Sequence, residues 1–317
     1  MRAFVLLCTT VAAIATAATS ASAESCQLKL IASLTLTESG DRLFAPVTVA
    51  DRKSRLTIQL ADAYSGITAN VSKELSLRES PTSSRMTSTV NGQSITTLVT
   101  VPMLQLDRLV ARDVKVFKIP SLSDSDGILG LDLLSTGDLE LDLAHDKLNL
   151  FSRDHCRGKV IYWSPPGGTV AVIPLTTQKT GNVLTNMSVD GKTMNVGLTT
   201  TGRSTMGMND AHRLFGIDEH SSGIKRVGTD SEGLPTYRYP FHEIDVQGLK
   251  IGNPDIILEG RIADPGCDPY THFDTQSRDY MNCYGDADLF LGPSILRRLH
   301  LFFAFSEKTL YATAASD

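Results

Sequence analysis

Along residues 28–60, apolar and polar positions alternate. Leu28 and Leu30, Leu34 and Leu36, Val47 and Val49, and Leu56, Ile58 and Leu60 recur two apart. That period predicts β-strands with one buried face. Asn91-Gly92 stands between Ser88-Thr89-Val90 and Ser94-Ile95-Thr96, a strong short signal for a tight hairpin. The pattern returns at Val170–Pro174, Val183–Val189 and Thr193–Leu198, with a turn at Asp190-Gly191. Helical signals are short: Asn70–Leu77, Asn209–Phe215 with Asn209 as N-cap, and Ser294–Leu299 after Pro293. The chain therefore reads as all-β with a few short helices.

One stretch occurs twice. Gly127-Ile128-Leu129-Gly130-Leu131-Asp132-Leu133-Leu134 is followed by Leu139–Leu143 and Lys147–Leu150; Leu289-Phe290-Leu291-Gly292-Pro293-Ser294-Ile295-Leu296 is followed by Leu301–Phe305 and Thr309–Tyr311. Gly130 matches Gly292, Leu139 matches Leu301 and Leu148 matches Leu310, always 162 residues on and without a gap. A single repeat of that length points to two copies of a whole lobe rather than to a stacked small unit. Pro165-Pro166-Gly167-Gly168 breaks any regular element and marks the boundary. The expected division is residues 24–158 and 169–317, the second lobe carrying an insert at about 218–285.

The first 23 residues change the picture. Arg2, the apolar run Ala3–Ala18 and the small-x-small site Ala21-Ser22-Ala23 predict a signal peptide over 1–23. No later stretch reaches a spanning length, so no membrane span is expected after its removal, and the mature chain is expected in the periplasm or secreted. Four cysteines then remain, Cys26, Cys156, Cys267 and Cys283. An even number after export favours disulfides. Cys26 and Cys156 bracket the first copy, and Cys267 and Cys283 share a Pro/Gly/Asp-rich loop, which suggests those two pairs among three possible pairings. No Cys-x-x-Cys spacing suggests zinc. The formal charge of −5, with no basic stripe, argues against nucleic acid. No metal or other cofactor is implied: Asp124-Ser125-Asp126-Gly127 begins like a calcium loop, but its twelfth position is Ser135 rather than Glu. No Gly-x-Ser-x-Gly is present for a serine hydrolase.

Each half gives one order of elements: a strand pair, a strand ending in a loop, a short helix, a hairpin, an apolar-apolar-Gly segment and a closing strand pair. With Gly127–Leu134 and its partner Phe290-Leu291-Gly292 before Ile295-Leu296, that order resembles the retropepsin/pepsin-like aspartic proteases, especially the bacterial single-chain, two-lobed type. The resemblance implies an all-β, two-lobed aspartic-protease-like fold with a cleft between lobes. In that family each lobe offers Asp-Thr/Ser-Gly after an apolar strand, and the two carboxylates share one proton across an attacking water.

Both motifs are degenerate here. Aligning Thr201-Gly202 with the family's Thr-Gly sets Thr200 at the aspartate position. In the first lobe, Leu56–Ser65 sets Ala61 there, with Asp62 one step on and Tyr64 beyond it. Asp62 is the one candidate catalytic carboxylate, and one step along an extended chain turns it to the other face. The resulting expectation is a catalytically degenerate protein that binds an extended peptide or protein segment in the cleft. Asn91 and Gly92 form the candidate flap, and Tyr237 and Tyr239 are candidate peptide contacts. Two alternatives are an active endopeptidase using Asp62 with a further partner, and a structural envelope scaffold.

Overall fold

The computed structural model describes residues 27–61, 64–82, 88–90, 93–177, 183–230, 233–260 and 287–316. Residues 1–23, expected to be a signal peptide, and Asp62, Asn91, Gly92, Cys26, Cys267 and Cys283 lie outside them. The architecture is all-β and two-lobed, with an eight-stranded sheet in the first lobe, a ten-stranded sheet in the second and a six-stranded sheet shared by both. Among the described residues, no helix is long and apolar enough to cross a membrane.

The alternating pattern forms the predicted strands. Arg42–Val49 and Arg52–Ile58 pair antiparallel, with Leu43, Val47, Leu56 and Ile58 buried. Val183–Val189 and Lys192–Leu198 pair through Asp190-Gly191, whose φ values of 45° and 77° suit a tight hairpin turn. Each of Val, Leu, Ile or Phe removed from water contributes roughly 1.5–3 kcal/mol, so dozens of such side chains outweigh weak local preferences.

Several elements were not legible in the pattern. Thr97–Leu106 and Leu109–Ile119 form the longest strand pair, yet Pro102 interrupts the first. Pairing skips there: Val101 faces Val114 and Met103 faces Arg112, while Asp113 takes φ 51°. The missing N–H of proline thus falls at an irregularity rather than inside the ladder. Glu243–Val246 and Leu249–Gly252 form another hairpin, turned by Gln247-Gly248. Together with Lys225–Thr229, Pro235–Arg238 and Ile256–Glu259 they belong to the second lobe's sheet, inside the stretch expected to be an insert. All three expected helices differ in their bounds, the one expected over Asn70–Leu77 being Ala69–Glu74. The helix expected to start at Asn209 is Met208–Phe215, with Gly207 as N-cap, and the one expected over 294–299 is Pro293–Leu296, because Leu299–Ala304 is strand.

The repeat explains how the lobes join. Asp138–Asp142 of the first copy pairs antiparallel with Leu299–Ala304 of the second. Glu140 lies opposite Phe302, its own counterpart in the repeat, while Leu139 meets Phe303 and Leu141 meets Leu301. A local twofold axis therefore passes through the Glu140–Phe302 pair.

The segment between the lobes straps the outer face of this shared sheet. Val160 packs with Phe151, Phe302, Ala304 and Tyr311, and Trp163 leans on the same cluster. Trp163 stacks on His300 at 4.0 Å and donates Nε1–H to Thr313 Oγ1 at 2.9 Å. Tyr162 donates its hydroxyl to Glu140, which also meets His300 Nε2 at 2.8 Å. His155 is bonded to Asp138, which accepts Phe305 N–H at 2.9 Å through its other oxygen. Cys156 lies in this strap and is engaged with a partner; Cys26, Cys267 and Cys283 lie outside the described residues.

Candidate functional site where the two lobes meet

Two strands, one per lobe, run to the centre in matching register. Arg52–Ile58 lies parallel to Gly127–Leu129, pairing Ile58 with Leu129. Lys192–Leu198 lies parallel to Leu289–Leu291, pairing Leu198 with Leu291. The next residue of each strand repeats one contact: Gln59 N–H donates to Leu129 O at 3.0 Å, and Thr199 N–H to Leu291 O at 2.9 Å. Past the loops, Ser65 Oγ accepts Gly130 N–H and Ser204 Oγ accepts Gly292 N–H, both at 2.9 Å. Gly292 is needed for this approach, since a Cβ there would lie 2.7 Å from the Arg203 carbonyl carbon and 2.8 Å from the Ser204 nitrogen.

The ladders make Gln59 equivalent to Thr199. Beyond them the first lobe's loop is one residue longer, so Leu60 matches Thr200 counted from the strands, whereas Ala61 matches it counted back from Ser65 and Ser204.

Thr200 joins the lobes. Its Oγ1 donates to Ile58 O at 2.7 Å and accepts Leu60 N–H at 3.3 Å, and the residue is fully buried. The clasp is one-sided, because neither Leu60 nor Ala61 has a hydroxyl to return it. Thr199 turns its hydroxyl inward on its own loop, donating to Thr201 O at 2.9 Å and accepting Thr201 N–H at 3.2 Å. Gly202 N–H donates to Asp41 O at 2.7 Å, and Thr201 bridges Arg42, so the first lobe's opening hairpin supports the second lobe's loop. Gly202 has φ 76°, which glycine adopts without steric cost.

Gln59 and Thr57 each carry a buried side-chain oxygen without a partner among the described residues. Gln59 is half-buried, yet its Oε1 is shut off from solvent. Further along the chain, Tyr64 packs edge-on against Phe117 at 5.2 Å, beside Ile95, Ile119 and Ile128.

Other carboxylates near the loops are already engaged. Asp132 Oδ1 accepts from Ser65 Oγ at 2.6 Å, Ser65 N–H at 3.0 Å and Leu133 N–H at 2.9 Å. Asp124 pairs with Arg42 at 2.7 Å, and Asp126 accepts Arg55 N–H at 3.0 Å and pairs with Arg52 at 3.1 Å. The Asp124–Gly127 segment is thus a turn held by arginines.

Of the candidate peptide contacts, Tyr237 is buried within the second lobe's core and its hydroxyl reaches Glu219 at 3.2 Å. Tyr239 packs edge-on with Phe241 at 5.0 Å and lines a surface cavity of about 610 Å³ with Lys225, Arg238, Pro254 and Asp255. Gln59 and Thr199 were missed by sequence reasoning; the signal that could have found them is their place immediately after each apolar strand.

The fold is aspartic-protease-like. Residues 45–133 match the family model described as aspartyl protease. The chain is similar to the solved aspartic proteinase from Irpex lacteus, at TM-score 0.56 and 14% identity over 90% of this chain and 97% of that one. It is also similar to basic 7S globulin from soybean, at TM-score 0.51 and 10% identity over 92% of this chain and 96% of that one. No curated protein sequence matches.

Proposed function

We propose that this is an exported, catalytically silent aspartic-protease-like protein that holds an extended peptide or protein segment in the cleft between its lobes. The observation that carries the reading is the pair of equivalent strand ends. Aspartic proteolysis needs two carboxylates sharing one proton. The residues that directly follow the two apolar strands are Gln59 and Thr199. An amide does not ionise in this range, and the Thr199 hydroxyl is spent on its own loop. The machinery that brings the lobes together is retained, however, down to the Thr200 clasp. Joined lobes without an acid and base suit binding by strand addition, where backbone hydrogen bonds supply affinity. The two structural neighbours, one named as a proteinase and one as a globulin, are compatible with a fold that is not tied to one role.

The test is incubation of the mature chain, residues 24–317, with a diverse peptide pool from acid to neutral pH, read by mass spectrometry. No cleavage is expected, with or without a transition-state inhibitor of aspartic proteases. Inhibitor-sensitive cleavage would overturn the reading and return attention to Asp62.

A further inference from the structure

We propose that the surface cavity of the second lobe, between Tyr239 and the Arg238–Asp255 pair, binds the uronic-acid unit of an acidic saccharide, with Lys225 taking its carboxylate. The cavity holds about 610 Å³, within the ~300–1,000 Å³ usual for small-ligand sites. It opens at the edge of the second lobe's sheet, where Lys225–Thr229 is the last strand and lies exposed. Lys225 stands directly opposite Arg238 on the neighbouring strand. Like charges so placed repel. Asp255 answers only part of this: it takes Arg238 through both oxygens, at 2.7 and 3.0 Å, and Arg203 at 3.4 Å. Lys225 has no ion pair among the described residues. The cavity thus carries an unanswered cation in a chain whose formal charge is −5, which favours an anionic ligand.

The walls narrow the class of ligand. Tyr239 lines the cavity, its ring packed edge-on with Phe241 at 5.0 Å, and Phe241 is itself held by Phe215 at 5.3 Å. The negative face of an aromatic ring suits the C–H face of a sugar. Beside it, Arg238 and Asp255 form a two-pronged pair with donors and acceptors side by side. Asp255 Oδ1 accepts only from Arg238 among the described residues, so it keeps a lone pair for a hydroxyl. Such a pair matches neighbouring sugar hydroxyls, each of which both donates and accepts. A peptide added as a strand suits the site less well. Pro240 and Pro254 on the wall carry no N–H, and the edge strand is irregular between Arg226 and Gly228. The cavity shares no residue with the strand ends at Gln59 and Thr199, so this inference stands or falls apart from the cleft reading.

The test titrates the mature chain, residues 24–317, with trigalacturonic acid by calorimetry at low and at physiological salt. Saturable binding is expected, and it should weaken as salt rises. Lys225→Gln is expected to lose about tenfold, the size of one hydrogen bond to a charged group, and Lys225→Arg to restore most of it. Neutral galactotriose should bind the wild type about tenfold more weakly and be indifferent to Lys225→Gln. Tyr239→Leu, which keeps an apolar side chain but no ring, should weaken both saccharides. Equal affinity of wild type and Lys225→Gln for trigalacturonic acid would remove the carboxylate contact and with it the proposal. Binding of a blocked triaspartate as tight as that of trigalacturonic acid would overturn the sugar assignment in favour of an acidic peptide. A folded wild type that shows no saturable binding of trigalacturonic acid would overturn the site altogether.

Discussion

Thr200 shows how much one hydroxyl can hold. It satisfies a carbonyl and an N–H of the opposite lobe from a fully buried position. Thr200→Val keeps the shape but leaves Ile58 O and Leu60 N unpaired. The expected cost is about 1–3 kcal/mol in urea unfolding, whereas Thr200→Ser should lose much less. Gly292→Ala is expected to be at least as damaging, since its Cβ would meet backbone rather than a side chain that can move. Circular dichroism on thermal unfolding would show a lower Tm for both. A rise in Tm for Thr200→Val would mean that the clasp contributes nothing. These effects were only partly legible in the sequence. Thr200 stands out in a Thr-Thr-Thr-Gly run, but which threonine reaches across depends on a strand register that no local pattern specifies. Ala50 makes the same point. It turns a hairpin at φ 46°, in a region alanine avoids, and its N–H is bonded to Met103 O.

The strap over the shared sheet is the element with a built-in pH response. His155 is almost wholly buried, its side chain 1% exposed, beside Asp138 and Glu307. Burial opposes its charge, but the Asp138 hydrogen bond, the Cys156 carbonyl and the two carboxylates outweigh that and raise its pKa. A raised histidine pKa means that the folded state holds the proton more tightly than the unfolded chain. Its contribution is therefore fully present below the ordinary value of about 6.5 and is lost as pH rises through the raised one. Urea midpoints of the wild type should fall across that window more steeply than those of His155→Gln. Parallel curves would sink this account. Tyr311 is pushed up to about 12 by burial and by donating to Glu307, so it stays neutral throughout. The sequence showed the strap only as a Pro/Gly-rich break between copies. The hydrogen bonds that hold it join residues far apart in the chain, such as Tyr162 to Glu140 and Trp163 to Thr313.

For the molecule as a whole, the shared sheet makes each lobe incomplete without the other. Cutting the chain between the lobes would leave Asp138–Asp142 as an edge with Leu139 and Leu141 uncovered. Self-pairing about the same axis would set Glu140 against Glu140, two buried like charges, which disfavours a simple dimer of the first lobe. Residues 24–158 expressed alone are therefore expected to aggregate, and to become soluble when residues 159–317 are co-expressed. Co-purification of a tagged first lobe with an untagged second lobe would show it. A soluble, monomeric first lobe would contradict it.

The repeat at constant spacing and the period-two alternation established an all-β chain of two similar lobes before any coordinates. They do so because side chains on a strand alternate faces and a buried face must be apolar wherever it packs. The same pattern could not say which residues meet at the centre, since a shift of one residue along a strand leaves the apolar pattern intelligible while exchanging Gln59 for its neighbours. The tertiary structure settled that through ladders to Leu129 and Leu291 and through a hydroxyl reaching from one lobe into the other. Long-range pairing sets register, and register decides which side chain stands where the lobes meet.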